Sequence, residues 1–263
     1  MRDLTHRGYN PVGTTRRPAS GHLFLDLRQP QLSKLHGARP GKAVIAAGIT
    51  NISYCKENPL ESYSVNVSGT KVLIQQLAEL GWEILFLSTA DVFSHQRQPI
   101  TMDTQPNPTS NYGLHKREIE IFVDSLNGNC GVARITKVIG PHTQPFAKWI
   151  QELGALQPVW VTDDRRIAPL SLSRASRELS DILLDDPQGL WHLGGGLSLS
   201  YPQIAWHLAA SMGPGAGVVE NSPQDEGPEW VVFDQSSNSA RSRIVSESLD
   251  DILADLLKSA ISH

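Results

Sequence analysis

The chain is poor in cysteine. Cys55 and Cys130 are the only two in 263 residues, too few for a disulfide framework, and no grouping of His, Cys and Asp has the spacing of a metal site. Both thiols are expected to be idle in a reducing cytoplasm. Long apolar runs are missing as well: none approaches the roughly 18 residues of a membrane span. The opening MRDLTHRGYNPVGTTRRPAS holds no apolar signal core, so neither a membrane partner nor secretion is expected. A basic excess is absent too. Lys+Arg 23 against Asp+Glu 27 leaves a net charge of −4, which argues against a nucleic-acid partner. Without secretion, Asn51-Ile-Ser and Asn66-Val-Ser carry no glycosylation meaning, and Asn66 is expected to brace a helix through its amide. No internal repeat and no Gly-x-x-Gly-x-x-Gly turn occurs in the sequence.

What remains is a globular composition, 40% apolar and 19% charged, at a length that suits one large domain or a domain with a lobe. Apolar runs alternate with helical patterns, the signal of parallel βαβ units. Strands are expected at 10–15, 22–26, 42–48, 82–88 and 131–140. The first three precede a helix over 59–80, whose stripe is Val65, Val72, Leu73, Leu77 and Leu80 and whose stop is Gly81. A second helix over 112–126 carries Leu114, Ile119, Ile121 and Phe122 as its apolar content. The later grammar is mixed: a strand at 159–162, a charged turn at 163–166, a helix near 173–184 and a strand at 190–193. Gly194-Gly-Gly196 reads as a tight loop, 203–211 and 246–259 as helices, and 213–228 as a polar loop. The expected division is 1–140 and 141–263, with about 170–196 returning to the first sheet.

The chemistry concentrates at Ser88, at the end of a strand, and at Tyr112-Gly-Leu-His-Lys116, at the start of a helix. Residues four apart share a helix face, so Tyr112 and Lys116 meet. A lysine ammonium beside a phenol favours the phenolate and is expected to lower the tyrosine pKa, making an acid/base. Ser88, or Thr89 beside it, can orient a carbonyl or alcohol oxygen. Asp91 can reach a substrate or cap the next turn, and Arg165, in the charged turn, can contact a ligand. His115 is expected to be exposed, and His192 to be a satisfied core histidine.

With these residues in place, the run from Val44 to Val138 resembles the extended short-chain dehydrogenase/reductases, most closely the dTDP-4-dehydrorhamnose reductase-like and NAD-dependent epimerase branch. The matching pieces are Ala46-Ala-Gly48, Asn66-Val-Ser-Gly-Thr70, Ser88-Thr-Ala-Asp-Val-Phe93, Pro106-Asn-Pro-Thr-Ser-Asn-Tyr112-Gly-x-x-Lys116, Arg134-Ile-Thr-Lys-Val-Ile-Gly-Pro141 and Trp191-His-Leu-Gly-Gly195. The resemblance implies an α/β fold: a Rossmann-type doubly wound parallel sheet with a small C-terminal substrate lobe. It implies Ser88 polarising the substrate oxygen, Tyr112 as acid/base, and Lys116 lowering the tyrosine pKa and holding the nicotinamide ribose. It also implies NADP or NAD as cofactor, a nucleotide-linked sugar as ligand, and a cytoplasmic homodimer. On the adenosine side, Arg16 and Arg17 fall where a 2′-phosphate would lie, Asp26 and Leu27 at the adenine edge, and Ala46, Ala47 and Gly48 against the ring.

The family pattern also includes a first strand and a glycine-rich turn ahead of the strand ending at Thr15. Here Met1–Gly8 reads as the tail of the first helix, so that strand and turn, roughly 15–20 residues, are expected to be lacking. The missing strand would be central in the sheet, and each unpaired buried amide beside it would cost about 1–3 kcal/mol. An open groove between the strands ending at Thr15 and Gly48 is therefore expected, with the dinucleotide bound weakly or not at all. Two functions follow. One is a reductase or epimerase of a nucleotide-linked sugar. The other is a dinucleotide-free relative, either a sugar-nucleotide-binding or regulatory subunit or a non-redox lyase or isomerase.

Overall fold

A computed structural model describes residues 1–17, 21–32, 39–94, 96, 98–126, 128–161, 165–213, 217, 219–221, 230–234 and 241–261. In chain order the elements are α1 (Arg2–His6), β1 (Gly13–Thr15), β2 (His22–Phe24), β3 (Lys42–Ile45), α2 (Ile52–Glu57) and α3 (Pro59–Tyr63). A π-helical segment, Ser64–Gly69, leads into α4 (Thr70–Glu79), then β4 (Glu83–Thr89), a 3-10 turn at Ala90–Val92, α5 (Asn111–Ser125) and β5 (Cys130–Ile135). Next come β6 (Val138–Ile139), α6 (Phe146–Gly154), β7 (Val159–Val161), β8 (Arg166–Ile167), β9 (Leu170–Ser171), α7 (Leu172–Asp185) and β10 (Gly189–Gly195). The chain ends with β11 (Leu199–Ser200), α8 (Tyr201–Ser211), β12 (Val219–Asn221), β13 (Trp230–Val231), β14 (Ser242–Val245) and α9 (Leu249–Ile261). The principal sheet has the order β14-β10-β5-β4-β3, with β3 parallel to β4 and β10 parallel to β14.

The chain divides into two compact units. The first holds 1–93, 106–134 and 176–191, and the second holds 94–105, 135–175 and 192–263. The division thus falls at 134/135 where the sequence pattern placed it at 140, and 94–105 joins the second unit.

In the first unit, β4 explains its own composition. Ile84 and Phe86 join a core with Ile45, Leu73, Ile74, Leu77, Ile119 and Val123, while Leu85 joins Ala133, Ile182, Leu183 and Trp191. Neighbouring strand residues point to opposite faces, so an almost wholly apolar strand is covered on both. β1 and β2 form a parallel pair of their own, and β3 is the edge of the principal sheet. Among the described residues no strand bridges them. Thr14, Phe24, Val44, Ala46, Ala47 and Gly48 are exposed, so the unpaired backbone beside them meets water and escapes the burial cost.

The helix expected over 59–80 is interrupted. A π turn carries one extra residue, which shifts the helical phase after Gly69. Val72 is therefore exposed and Ile74 fully buried, although the regular period from Val65 puts Val72 in the core. Gly69 is required by a close approach: a Cβ there would overlap the Leu27 carbonyl oxygen. Gly69→Ala should cost about 3 kcal/mol or more, whereas Gly154→Ala, meeting only Met212 Cε at 3.7 Å, should be neutral or slightly stabilising. Urea midpoints of the two variants check this.

Other expectations change as well. In α5 the buried set is Tyr112, His115, Lys116, Ile119, Glu120 and Val123, with Leu114 and Ile121 exposed. His115 is buried against Tyr63, edge to face at 5.7 Å, because α3 covers that side of the helix. The strand expected over 131–140 breaks into β5 and β6, which pairs with β9. Gly194 and Gly195 lie in β10 and not in a loop: a Cβ on Gly194 would sit 2.9 Å from Phe233 Cδ2, and one on Gly195 would overlap the Pro169 carbonyl.

The second unit has its own core of Phe146, Trp149, Leu153, Tyr201, Ile204, Leu208, Ile252 and Leu256. Phe146 stacks on Tyr201 at 5.8 Å, and Trp149 meets both edge-on. His192 is buried and stacked on Phe233 at 4.3 Å, as a core histidine should be. Within the expected loop 213–228, β12 pairs in parallel with β7. Thr162 at the end of the expected strand, Asp163 and Asp164 of the charged turn, and most of 213–228 lie outside the described residues.

Candidate active site

α5 begins with a proper cap: Ser110 Oγ accepts from the Gly113 N–H at 3.0 Å. The next turn of helix presses on the 3-10 turn after β4, since a Cβ on Gly113 would lie 2.5 Å from the Asp91 carbonyl oxygen and 2.9 Å from Pro108 Cβ. Asn111 Nδ2 donates to the Cys55 carbonyl at 3.1 Å and ties the helix start to α2. These contacts bring Tyr112, Lys116, Thr89 and Asp91 together.

Tyr112 is buried, and the Thr89 side chain lies near its phenol. Burial pushes the phenol pKa well up, nearby Asp91 and Cys55 push it further, and Thr89 opposes them. The expected lowering by Lys116 is not what the structure shows. Lys116 Nζ donates to the Leu87 carbonyl at 2.7 Å and lies over the Phe86 ring at 4.6 Å and the Tyr112 ring at 5.9 Å. Its charge is held on a backbone oxygen and on ring faces, and desolvation of the phenol dominates. Burial also brings Lys116 down to about 8, with Glu120 opposing the fall. Tyr112 is thus a phenol kept protonated, beside a lysine that is charged at neutral pH.

Ser88 is turned elsewhere. It is buried, and its hydroxyl donates to Glu120 Oε1 at 2.6 Å. The hydroxyl that lies near Tyr112 is that of Thr89, which accepts from the Asp91 N–H at 3.1 Å and donates to Asp91 Oδ2 at 3.3 Å. The cap of the 3-10 turn is thus Thr89 and not Asp91, whose charge acts on the tyrosine. Asn66 braces a loop and not the active-site helix: its Oδ1 accepts from the Ile49 N–H at 2.7 Å and its Nδ2 donates to the Ile49 carbonyl at 2.8 Å, fixing the backbone just after Gly48.

On the adenosine side, Arg16 and Arg17 are exposed, and the Arg17 N–H donates to Thr15 Oγ1 at 3.1 Å. Asp26 accepts from the Arg28 N–H at 2.9 Å. Arg28 also pairs with Glu61, which accepts from Tyr54 Oη at 2.6 Å. The Leu27 side chain belongs to the core, so a ligand at that edge would meet its backbone. Ala46, Ala47 and Gly48 are exposed. Arg165 lies in the second unit, its guanidinium over the Tyr201 ring at 5.9 Å. Sequence reasoning missed Glu120 and Arg134, whose signal was the second four-residue step in Tyr112-x-x-x-Lys116-x-x-x-Glu120. Among the described residues no group of His, Cys, Asp and Glu could hold a metal ion.

The geometry finds company among known proteins. A dTDP-4-dehydrorhamnose reductase of Sinorhizobium fredii (strain NBRC 101917 / NGR234) is 28% identical over 196 residues, which is 70% of this chain and only 65% of that protein's length. A hypothetical dTDP-4-dehydrorhamnose reductase from Sulfolobus tokodaii superposes with a TM-score of 0.78 at 19% identity, covering 95% of this chain and 93% of that one. The Bordetella bronchiseptica enzyme WbmG, solved in complex with NAD, gives 0.81 at 18% identity, with 100% and 89% covered. At such identities these two structures speak for the fold: α/β, Rossmann-type, with a parallel central sheet. The model of the RmlD substrate binding domain matches residues 1–239, and the chain belongs to that family.

Proposed function

We propose that this protein binds a nucleotide-linked sugar and that Tyr112 exchanges a proton with the sugar's reacting oxygen, in a reductase- or epimerase-type reaction. The observation that carries the reading is the buried trio of Tyr112, Thr89 and Lys116, in which the phenol is kept protonated. A protonated phenol is a donor, so the favoured direction is donation to a carbonyl oxygen that becomes an alcohol. Thr89 orients that oxygen. Lys116 supplies positive charge beside the phenolate left behind, and Asp91 contacts the substrate.

The family points to a nicotinamide dinucleotide, which when bound gives or takes the hydride. The residues present fit its two ends. Lys116 spends one of three N–H donors on Leu87 and, among the described residues, keeps two for a ribose. The exposed Ala46–Gly48 edge with Asp26 and the Leu27 backbone suits the adenosine. Arg16 and Arg17 suit a 2′-phosphate and should favour NADP over NAD, because a guanidinium fork matches a phosphate. The pyrophosphate has no glycine-rich turn in this sequence to receive it. Each lost charge-assisted bond is worth about 1.5–3 kcal/mol, so two or three cost several powers of ten in affinity. Calorimetry on the 263-residue chain should give millimolar or weaker binding of NADP and NAD. Micromolar binding would overturn that expectation.

A second reading is a sugar-nucleotide-binding subunit or a lyase or isomerase that uses the Tyr112 proton alone. One experiment separates them. The chain is titrated with dTDP- and UDP-linked hexoses, then incubated with a nucleotide-linked 4-keto sugar and NADPH at several millimolar. Sugar-dependent NADPH oxidation supports the first reading, binding without oxidation supports the second, and no binding of any nucleotide sugar sinks both. No described helix is long and apolar enough to cross a membrane, and the proposed setting is the cytoplasm. The proposal includes a homodimer, for which Leu60, Val72, Leu114 and Ile121 offer exposed apolar surface. A monomeric sedimentation coefficient at tens of micromolar would exclude it.

A further inference from the structure

The Glu120 carboxylate is buried and fully engaged. Oε1 accepts from Ser88 Oγ at 2.6 Å and from Arg134 Nε at 2.9 Å. Oε2 accepts from Arg134 Nη2 at 2.8 Å and from Arg117 Nη1 at 3.0 Å. Four donors match the four lone-pair sites of an ionised carboxylate, and the Arg134 fork is bidentate. Arg134 is itself seated over the Phe93 ring at 5.0 Å. One side chain therefore joins α5, the end of β4, β5 and the segment that follows the 3-10 turn.

The joint stands beside the reacting residues. Tyr112, Lys116 and Glu120 follow one another at four-residue steps, so they line neighbouring turns of α5. Two of them are bonded to consecutive residues of β4, Lys116 to the Leu87 carbonyl and Glu120 to Ser88, and the next residue, Thr89, lies near Tyr112. These two bonds involve no substrate, and they fix where α5 lies against the strand.

We propose that Glu120 is the positioning residue of this site, holding Ser88 out of the reaction and setting the register in which Thr89 meets Tyr112. The inference rests on the reading of Tyr112 as the proton donor. Its charge is also the influence that opposes the burial of Lys116, so loss of the charge has a signature that a packing role alone would not produce.

The test compares Glu120→Gln with Ser88→Ala in the full chain. The readouts are kcat and KM with a nucleotide-linked 4-keto sugar, and the Lys116 titration midpoint by NMR of labelled lysine. Glu120→Gln should lower kcat by about 10- to 100-fold, the scale of a roughly 1 Å misplacement, with KM within about threefold. Its Lys116 midpoint should fall by about one pH unit. Ser88→Ala should lower kcat by less than about tenfold and leave that midpoint where it is. A Ser88→Ala loss as large as that of Tyr112→Phe would overturn the proposal, by making Ser88 catalytic. So would a Glu120→Gln protein with wild-type kcat and midpoint. If Glu120→Gln fails to fold, Ser88→Ala decides alone. If the wild type turns over no sugar nucleotide, the proposed function falls, while the Lys116 midpoints still decide this point.

Discussion

Arg134→Met is expected to destabilise the first unit by about 3–5 kcal/mol, because it strips a buried carboxylate of its bidentate partner. Glu120 and Arg134 are each only 3% exposed in their side chains. Arg117, with its side chain 34% exposed, and the neutral Ser88 hydroxyl cannot replace a desolvated guanidinium. At about 2–4 °C per kcal/mol for a protein of this size, the midpoint of thermal unfolding should drop by roughly 10 °C. The double variant Arg134→Met with Glu120→Leu should recover much of the loss, since an apolar pair carries no stranded charge. Differential scanning calorimetry reads both. A single variant within about 1 kcal/mol of wild type would mean that water reaches the carboxylate and that the pair is worth no more than a surface bridge.

The second large effect is on turnover. Tyr112→Phe should lower kcat by about 10²–10⁴-fold, the range for removal of a positioned general acid. Stability should stay within roughly 1 kcal/mol, because the variant removes one oxygen and keeps the buried ring. Retention of more than a tenth of the activity would take Tyr112 out of the reaction. The wild-type pH profile carries a matching sign. Burial raises Tyr112, so the phenol stays protonated through neutrality, and it lowers Lys116 to about 8. A lysine is charged below its pKa, so activity that needs the ammonium should decline as pH climbs through about 8. A flat profile from pH 7 to 9 would separate Lys116's charge from the reaction.

The part of this site that could be read from the sequence is the part fixed by local geometry. Tyr112 and Lys116 meet because four residues make about one helical turn, and that holds whatever surrounds the helix. The choice between Ser88 and Thr89 could not be read that way. It depends on Glu120, 32 residues further along, and on Arg134 in the next strand, so only the assembled unit shows which hydroxyl is free to meet the tyrosine. The sign of the tyrosine shift was obscured for a related reason: spacing reports that a lysine is near, and burial, which reverses the balance, is a property of packing. The π turn at Ser64–Gly69 leaves no mark in composition, so the apolar stripe was followed one residue too regularly, from Val65 to Val72. β12 and β14 are three- and four-residue strands whose partners lie some 50–60 residues away, which defeats any window along the chain. β4 was plain because an unbroken apolar run between a glycine stop and a hydroxyl pair suits a strand covered on both faces.

The open side of β3 bears on how the protein should be handled. A short edge strand whose exposed members include Val44, followed by exposed Ala46 and Ala47, is a template to which another extended chain can add. Lys42 at the strand's start is already paired with Glu83 at 2.6 Å, so its charge gives little protection against a neighbouring backbone. In concentrated solution this edge is where colloidal association would begin, and amides on its outer side would exchange with solvent at rates closer to those of a loop than of a sheet. A proline at Val44 would block such addition only if its ring, and not a β4 hydrogen bond, occupied the outer side. Crowding, concentration and storage time therefore matter to this molecule through four residues of backbone, quite apart from anything its tyrosine does.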